Sequence, residues 1–277
     1  MTTEHRPLAI GRGHQSAGIQ ALDRGLAILD VIADADRALT VGEIAERLGL
    51  TTPTVSRLAA TLRNRGLLAQ EGRGGPYNLG LELARFAHRA LSAHPLEVAA
   101  APVIERLVGQ LGETVSLAVP TDHGVLYVRS QGPDDRVLHV SIAVGKVLPY
   151  SVTATGKVLL AYGDPVRIER VLEAGLVART PRSITDPDVF REAIAQVTRE
   201  GFAVDLGESD PNVGCVAVPV FRDSSLASAA LSCSAVLPVI TDARAQEMRI
   251  SLAAAAEQIS EAYGWGQPVR RRVRSRT

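Results

Sequence analysis

Cysteine is scarce: the 277 residues hold two, Cys215 and Cys233. Two thiols cannot staple a small secreted scaffold, and both fall in apolar alternating segments where a reduced thiol packs as a small hydrophobe. A reducing compartment is therefore expected. Long apolar runs are also missing. No window reaches about 18 uninterrupted apolar residues, and the N-terminal segment has no apolar stretch suited to a signal peptide. A soluble, cytoplasmic chain without contact to a membrane is the expectation. Net charge is the third absence, with 30 basic residues set against 30 acidic ones. The overall basic balance that usually marks a nucleic-acid-binding protein is not there. What the chain does have is apolar content, 46% hydrophobic with 22% charged, enough for one long or two ordinary globular domains with full cores rather than for disorder.

The zero sum hides an uneven distribution. Residues 1–90 carry 11 arginines and nine acidic residues, residues 91–263 carry 14 basic and 21 acidic, and residues 264–277 carry five arginines and no acid. Within the first part, residues 51–70 hold Arg57, Arg63 and Arg65 and no acidic side chain. A local positive surface can meet phosphates there whatever the net charge.

Residues 1–18 are polar, contain Gly11, Gly13 and Gly18, and show no periodicity, which predicts a flexible tail. From Ala21 onward, Leu22, Leu26, Leu29 and Ala33 recur at helical spacing. Thr40 with Glu43 matches a capping box, Ile44, Ala45 and Leu48 supply the apolar stripe of a short second helix, and Gly49 suits its left-handed end. Pro53 fits the first turn of a third helix capped by Thr51 or Thr52. Val55, Leu58, Ala59 and Leu62 line one side of it, which leaves Thr54, Ser56, Arg57, Thr61 and Asn64 on or near the other. Residues 67–70 and 77–79 read as strands joined by a Gly-rich turn, a wing.

Three helices, a tight turn and a hairpin form the succession of a winged helix-turn-helix. A helix with an apolar back and a front of Thr, Ser, Arg and Asn enters a major groove about 12 Å wide, where Arg makes paired hydrogen bonds to guanine. The DNA-contacting residues expected are Thr52, Thr54, Ser56, Arg57 and Thr61, with Arg73 at the wing tip placed either against a phosphate or minor groove or simply in solvent. The arginine run Arg270, Arg271, Arg272, Arg274 and Arg276 either adds phosphate attraction or serves solubility.

Residues 80–93, with Leu83, Phe86 and Ala90 at helical spacing, read as a linker helix, followed by another over residues 96–111. Beyond Gly112 the period becomes two. Strands are predicted around Val115, Leu117 and Val119, around Val125 and Tyr127, and around Leu138, Val140 and Ile142; helices follow at 155–162, 165–174, 187–199 and 243–263, with strands at 215–221 and 227–235. The fold class is α+β, a winged helix-turn-helix joined by a linker helix to an antiparallel sheet domain flanked by helices. The domain plan is a tail at 1–18, the DNA-binding domain at 19–80, the linker at 81–94, an effector domain at 95–265 and a basic tail at 266–277.

Several strings resemble the IclR family of bacterial transcription regulators over residues 19–265. In the first half they are Ala21-Leu22-Asp23-Arg24-Gly25-Leu26, Gly49-Leu50 with Thr54-Val55-Ser56-Arg57-Leu58, and Tyr77-Asn78-Leu79-Gly80; Thr51-Thr52-Pro53 departs from the Pro, Lys or Ser run common in that place. In the second half they are Gly145-Lys146-Val147-Leu148-Pro149, Ala154-Thr155-Gly156-Lys157, Gly201-Phe202-Ala203-Val204-Asp205 with Glu208, and Gly214-Cys215-Val216-Ala217-Val218-Pro219. The resemblance implies a GAF-like effector domain and a homodimer or homotetramer on double-stranded operator DNA. It also implies repression, or else activation, of genes concerned with carbon or aromatic-compound catabolism. By the same resemblance, Leu148, Ala154, Thr155, Asp205, Val213, Cys215, Ser232 and Ser234 would line the site for a small organic effector, a carboxylic acid or an aromatic metabolite.

The residues themselves are compatible with that role. A helix starting near Ala154 offers free N–H groups to an anion. Ser232 and Ser234, two apart on one strand, share a face, which is either solvent or a ligand site. Other chemistry is poorly supplied. Gly156-Lys157 fails as a phosphate loop, because Ser151 stands where the first glycine belongs and Val158 follows the lysine. Cys215 has no nearby histidine to activate it as a nucleophile. The six histidines show no paired metal-ligand spacing. No cofactor or metal is expected. The rival readings are an enzyme acting on a small acid with an N-terminal assembly domain, which would need a base beside a nucleophile, and a sensor that binds a protein partner through its helices.

Overall fold

The computed structural model describes residues 19–264, apart from 135, 137, 138 and 223–225. The expected tails at 1–18 and 266–277, and Leu138, lie outside the described residues. The chain divides into two compact units, Met1–Ala90 and Leu91–Thr277.

In the first unit, helices α1 (Gln20–Ala33), α2 (Val41–Leu48) and α3 (Thr52–Asn64) are followed by strands β1 (Leu68–Gln70) and β2 (Tyr77–Leu79). The capping box forms as its residues predict: Thr40 Oγ1 accepts from the Glu43 N–H while the Glu43 carboxylate accepts from the Thr40 N–H, so two N–H groups that lack helical partners are satisfied together. Gly49 ends α2 in the left-handed region, φ 62°. Ile28, Ile32, Ile44, Val55 and Ala59 bury the helical stripes against Leu68 and Tyr77 of the hairpin. Leu39 exchanges backbone hydrogen bonds with Tyr77, so the stretch before α2 holds the wing in place. The wing also closes on Gly80, where a Cβ would lie 2.0 Å from the Gly66 carbonyl oxygen. Helix α4 (Glu82–Ser92) then has no buried residue.

The second unit begins with α5 (Pro95–Leu111). There follow strands β3 (Thr114–Pro120), β4 (Val125–Gln131) and β5 (Val147–Leu148), helices α6 (Ala154–Ala161), α7 (Pro165–Ala174) and α8 (Pro187–Glu200), strands β6 (Ala203–Leu206), β7 (Val213–Phe221) and β8 (Ala227–Val236), and helix α9 (Asp242–Tyr263). The strands form one antiparallel sheet in the order β5-β4-β3-β8-β7-β6. Alternation sends Val115, Leu117, Val216, Val218, Leu231 and Cys233 to one face, where they pack with α5 and α9. Ala118, Tyr127, Ala203, Cys215, Ala217 and Ala230 go to the other, packed with α6 and α8. A sheet covered on both faces needs apolar side chains on both, and this gives β7 its almost continuous burial.

The strand expectations are corrected at three places. Residues 139–144 are not a strand although they alternate. Their hydrogen bonds go elsewhere: the Val140 carbonyl accepts from the Thr114 hydroxyl, Gly145 N–H donates to the Tyr127 carbonyl, and Ile142 turns in against the α6 face. Conversely, β5, which pairs with β4, and β6 are not among the expected strands. Four residues after the left-handed Gly201 are too few to show a period, and pairing with β7 is what makes them extend.

Candidate DNA interface and effector site

On α3, Val55 and Ala59 are buried, while Thr52, Ser56, Arg57 and Thr61 are exposed and Thr54 is half-buried. Two of the expected contact hydroxyls already have local partners. Thr54 Oγ1 lies 2.9 Å from Thr51 Oγ1, and the Thr61 hydroxyl donates to the Arg57 carbonyl at 3.0 Å. Each oxygen keeps acceptor capacity for a donor such as a base amino group. Arg57 and Arg73 form no ion pair among the described residues, and Arg73 stands exposed between Gly72 and Gly74, both at positive φ. Arg63 is differently placed: its Nη1 donates to Gln70 Oε1 at 2.6 Å, and Gln70 Nε2 donates in turn to the Gly75 carbonyl at 2.9 Å. That arginine ties the helix to the wing.

In the second unit the polar side chains gather in two cross-strand rows on the α6 face. Asp205 pairs in register with Cys215, Cys215 with Ser234, and Ser234 with Thr114. One step along, Ala217 pairs with Ser232, Ser232 with Ser116, and Ser116 with Ser130. Ser232 is 0%, Ser234 1% and Asp205 1% exposed, so the face is interior and not open to solvent. A bulge in the β3–β4 pairing at Leu117/Ala118 lets Ser130 and Tyr127, three apart, both face the rows. The Ser116 hydroxyl donates to Ser130 at 3.0 Å, and Tyr127 and Thr155 hydroxyls lie 3.0 Å apart.

Helix α6 brings its first turn to this face. Thr153 Oγ1 takes the Gly156 N–H at 3.0 Å, which leaves those of Ala154 and Thr155 for another acceptor. A Cβ at Gly156 would stand 2.2 Å from the Tyr150 carbonyl oxygen, so glycine is required for so close a turn. Of the eight expected effector residues, Ala154, Thr155, Asp205, Cys215, Ser232 and Ser234 are buried on the α6 side of the sheet, with Leu148 packed at its β5 edge. Val213 stands half-buried at the start of β7, outside the apolar cluster.

The electrostatics at the Asp205 end are unusual. Burial pushes the Asp205 carboxyl above the ordinary aspartate range, opposed by the Ser209 hydroxyl and the Glu208 N–H that bond to it. Burial likewise raises Glu208, against the pull of Lys157. The Lys157 ammonium, itself buried, donates to the Val204 carbonyl at 2.7 Å and to Glu208 Oε1 at 2.5 Å. The Cys215 thiol is pushed up to about 12 by burial. It stays protonated at neutral pH, which removes the thiolate that nucleophilic chemistry would need.

Sequence reasoning did not single out Thr114, Ser116, Ser130 or Tyr127 for this site. The signal available for the first two was their alternation within β3, but only the register with β8 reveals that their face is the serine face. A shallow cleft of about 200 Å³ between α5 and α9, lined by Leu107, Gln110, Ile250, Ser251 and Gln258 among others, lies on the opposite side of the sheet and shares no residue with the rows.

The two units match two family descriptions, the IclR helix-turn-helix domain over residues 21–72 and the bacterial transcriptional regulator IclR C-terminal domain over residues 88–261. The chain belongs to the IclR family of transcriptional regulators. It is 32% identical over 246 residues, 88% of each chain, to the HTH-type transcriptional regulator BhcR of Paracoccus denitrificans. Among solved structures, an IclR transcriptional regulator from Alicyclobacillus acidocaldarius superposes with TM-score 0.80 at 29% identity, covering 89% of this chain and all of that one. An IclR homologue from Microbacterium hydrocarbonoxydans, complexed with 4-hydroxybenzoate, superposes with TM-score 0.71 at 27% identity over 88% of this chain and 98% of its own. IclR-family membership makes this protein a transcription regulator with a helix-turn-helix and an effector domain, not an enzyme. Among the described residues, no helix is long and apolar enough to cross a membrane and no group of three or more His, Cys, Asp or Glu stands ready for a metal.

Proposed function

We propose that this IclR-family protein is a repressor of catabolic genes. In this reading it binds a pseudo-palindromic operator as a dimer or a dimer of dimers, and a small carboxylic acid bound on the α6 face of the sheet changes its grip on DNA. The observation that carries the ligand half is the pair of buried polar rows. The rows are held by hydrogen bonds of their own, and an acid would find N–H groups at the start of α6 and hydroxyls on the strands below, whose oxygens keep acceptor capacity and whose protons can turn. The homologue's 4-hydroxybenzoate supports an aromatic acid as one member of the class. Residues 19–80 would hold the DNA, 81–94 would link, and 95–265 would sense. Within the sensor, Leu148, Ala154, Thr155, Asp205, Val213, Cys215, Ser232 and Ser234 form the contact set.

For the DNA half, Arg57 is the anchor: exposed, unpaired among the described residues and set in the middle of α3. Thr52, Thr54, Ser56 and Thr61 flank it, and Arg73 adds a phosphate contact from the wing. The test combines sequencing of DNA fragments retained by the purified protein, with and without pooled metabolites, with two variants. Arg57→Ala is expected to weaken operator binding by about 1–3 kcal/mol, a tenfold to hundredfold loss, with the metabolite response intact. Ser234→Leu is expected to abolish the response and keep DNA affinity. Wild-type behaviour of both variants refutes the assignment.

A further inference from the structure

The chain has two lysines among its 30 basic residues, Lys146 and Lys157, and the rest are arginines. Lys146 is exposed and Lys157 is 4% exposed. An ammonium carries three N–H donors that rotate freely, whereas a guanidinium presents a flat fork. Two donors of Lys157 are spent on the Val204 carbonyl and on Glu208 Oε1, which leaves one. Glu208 is 9% exposed, and its second oxygen, Oε2, is buried without a hydrogen-bond partner. A spare cationic donor and a bare anionic acceptor therefore sit side by side. Asp205 anchors the pair to the end of the polar row, since its Oδ1 accepts from the Glu208 N–H at 2.6 Å.

A group that donates to Oε2 and accepts from the ammonium satisfies both at once. Among simple organic groups a hydroxyl does this; a carboxylate lacks the donor and a protonated amine lacks the acceptor. We propose that Glu208, held by Lys157, is a specificity-determining contact of the effector site, and that it selects a hydroxylated acid whose hydroxyl bridges Glu208 Oε2 and Lys157 Nζ. This rests on the reading of the α6 face as the effector site and names the chemistry of its ligand. A buried water can make the same two bonds; if it does so and no effector displaces it, acids with and without the hydroxyl bind alike.

The experiment measures the full-length protein's thermal shift and calorimetric affinity with matched pairs: glycolate and acetate, 3-hydroxypropionate and propionate, 4-(hydroxymethyl)benzoate and 4-methylbenzoate. In the wild type, the hydroxylated member of at least one pair should bind about tenfold to a hundredfold tighter, the range of a hydrogen bond to a buried charge. Glu208→Gln keeps an oxygen for Lys157 but turns a donor toward the ligand, so the preference should vanish. Should that variant fold poorly, Lys157→Met combined with Glu208→Leu removes both charges together, avoids a lone buried ion, and must lose the preference as well. The proposal is overturned if no hydroxylated acid outperforms its counterpart, or if the preference survives in these variants. Equal binding within pairs that disappears in Ser234→Leu would remove Glu208 from the contact set and leave the effector site standing. No binding by any acid would remove both.

Discussion

In the proposed effector site, Asp205 works against its own fold. Its carboxyl is raised by burial, so the native state favours the protonated form more than the unfolded chain does. Its contribution is most favourable below the unfolded aspartate value of about 3.9, and stability is lost as pH rises through the raised native value. Above that native value the ionised group is therefore a burden, which the Ser209 hydroxyl, the Glu208 N–H and Lys157 relieve only in part. Asp205→Asn should raise the thermal midpoint of the ligand-free protein at pH 7, and the gain should fade as the pH falls to about 4. A gain of equal size at both pH values, in thermal melts followed by circular dichroism, would show that charge is not its cause. Residues of this kind were only partly legible in the sequence. Ser232 and Ser234 announce a shared face by spacing alone. Lys157 and Glu208 stand 51 positions apart, and no local pattern connects an ammonium on one helix with a carboxylate after a strand.

Elements follow the same division between local and long-range causes. The capping box, the Gly49 terminus, the proline at the start of α3 and the wing are local signals, and each appears where its residues place it. The segment at 139–144 misled because alternation measures which side chains turn inward, not whether the backbone finds a partner strand. The β3–β4 bulge was invisible for a related reason: strict alternation puts Tyr127 and Arg129 on one face, whereas the extra residue sends Arg129 to an ion pair with Glu97 of α5 and turns Ser130 toward the serines. One element-scale consequence concerns the wing. Gln70→Ala removes both hydrogen bonds that run from Arg63 through Gln70 to Gly75, at a cost of about 1–2 kcal/mol in stability of the first unit. Operator binding should weaken with it, yet the dependence on salt should stay as it was, because no charge is lost. Arg73→Ala should do the opposite, leaving stability intact and reducing the slope of log affinity against log salt by about one. Salt titrations of the two variants on one retained fragment separate a wing that positions from a wing that touches.

At the scale of the whole molecule, the charge balance and the exposed apolar residues bear on how copies meet on DNA. The acidic excess lies in residues 91–263, so attraction to phosphates has to come from the first unit or from the five arginines of residues 264–277, and a single recognition helix reads too few base pairs to hold an operator alone. The first unit also carries apolar side chains that its own core does not use. On α1, Leu22 is 59% and Leu26 51% exposed, and Phe86 on α4 is 48% exposed with Arg85 stacked over its ring. Helix α4 is amphipathic in sequence yet buries none of its residues, and such a face is stable in water mainly when another surface covers it. In the proposed dimer a second copy of the chain would meet the requirement, and it would bring a second recognition helix for the other half of a pseudo-palindromic operator. Glutamate is a good helix former, so Leu22→Glu and Phe86→Glu should leave helix content and thermal unfolding of the first unit nearly unchanged while charging the faces. Sedimentation should then show monomers at concentrations where the proposed wild-type dimer holds together. Operator affinity should fall by about 100-fold or more, the loss of the second half-site's contribution, while binding of the effector acids on the α6 face persists. Variants that stay dimeric and hold the operator as tightly as the wild type would place the contact between copies elsewhere on the chain.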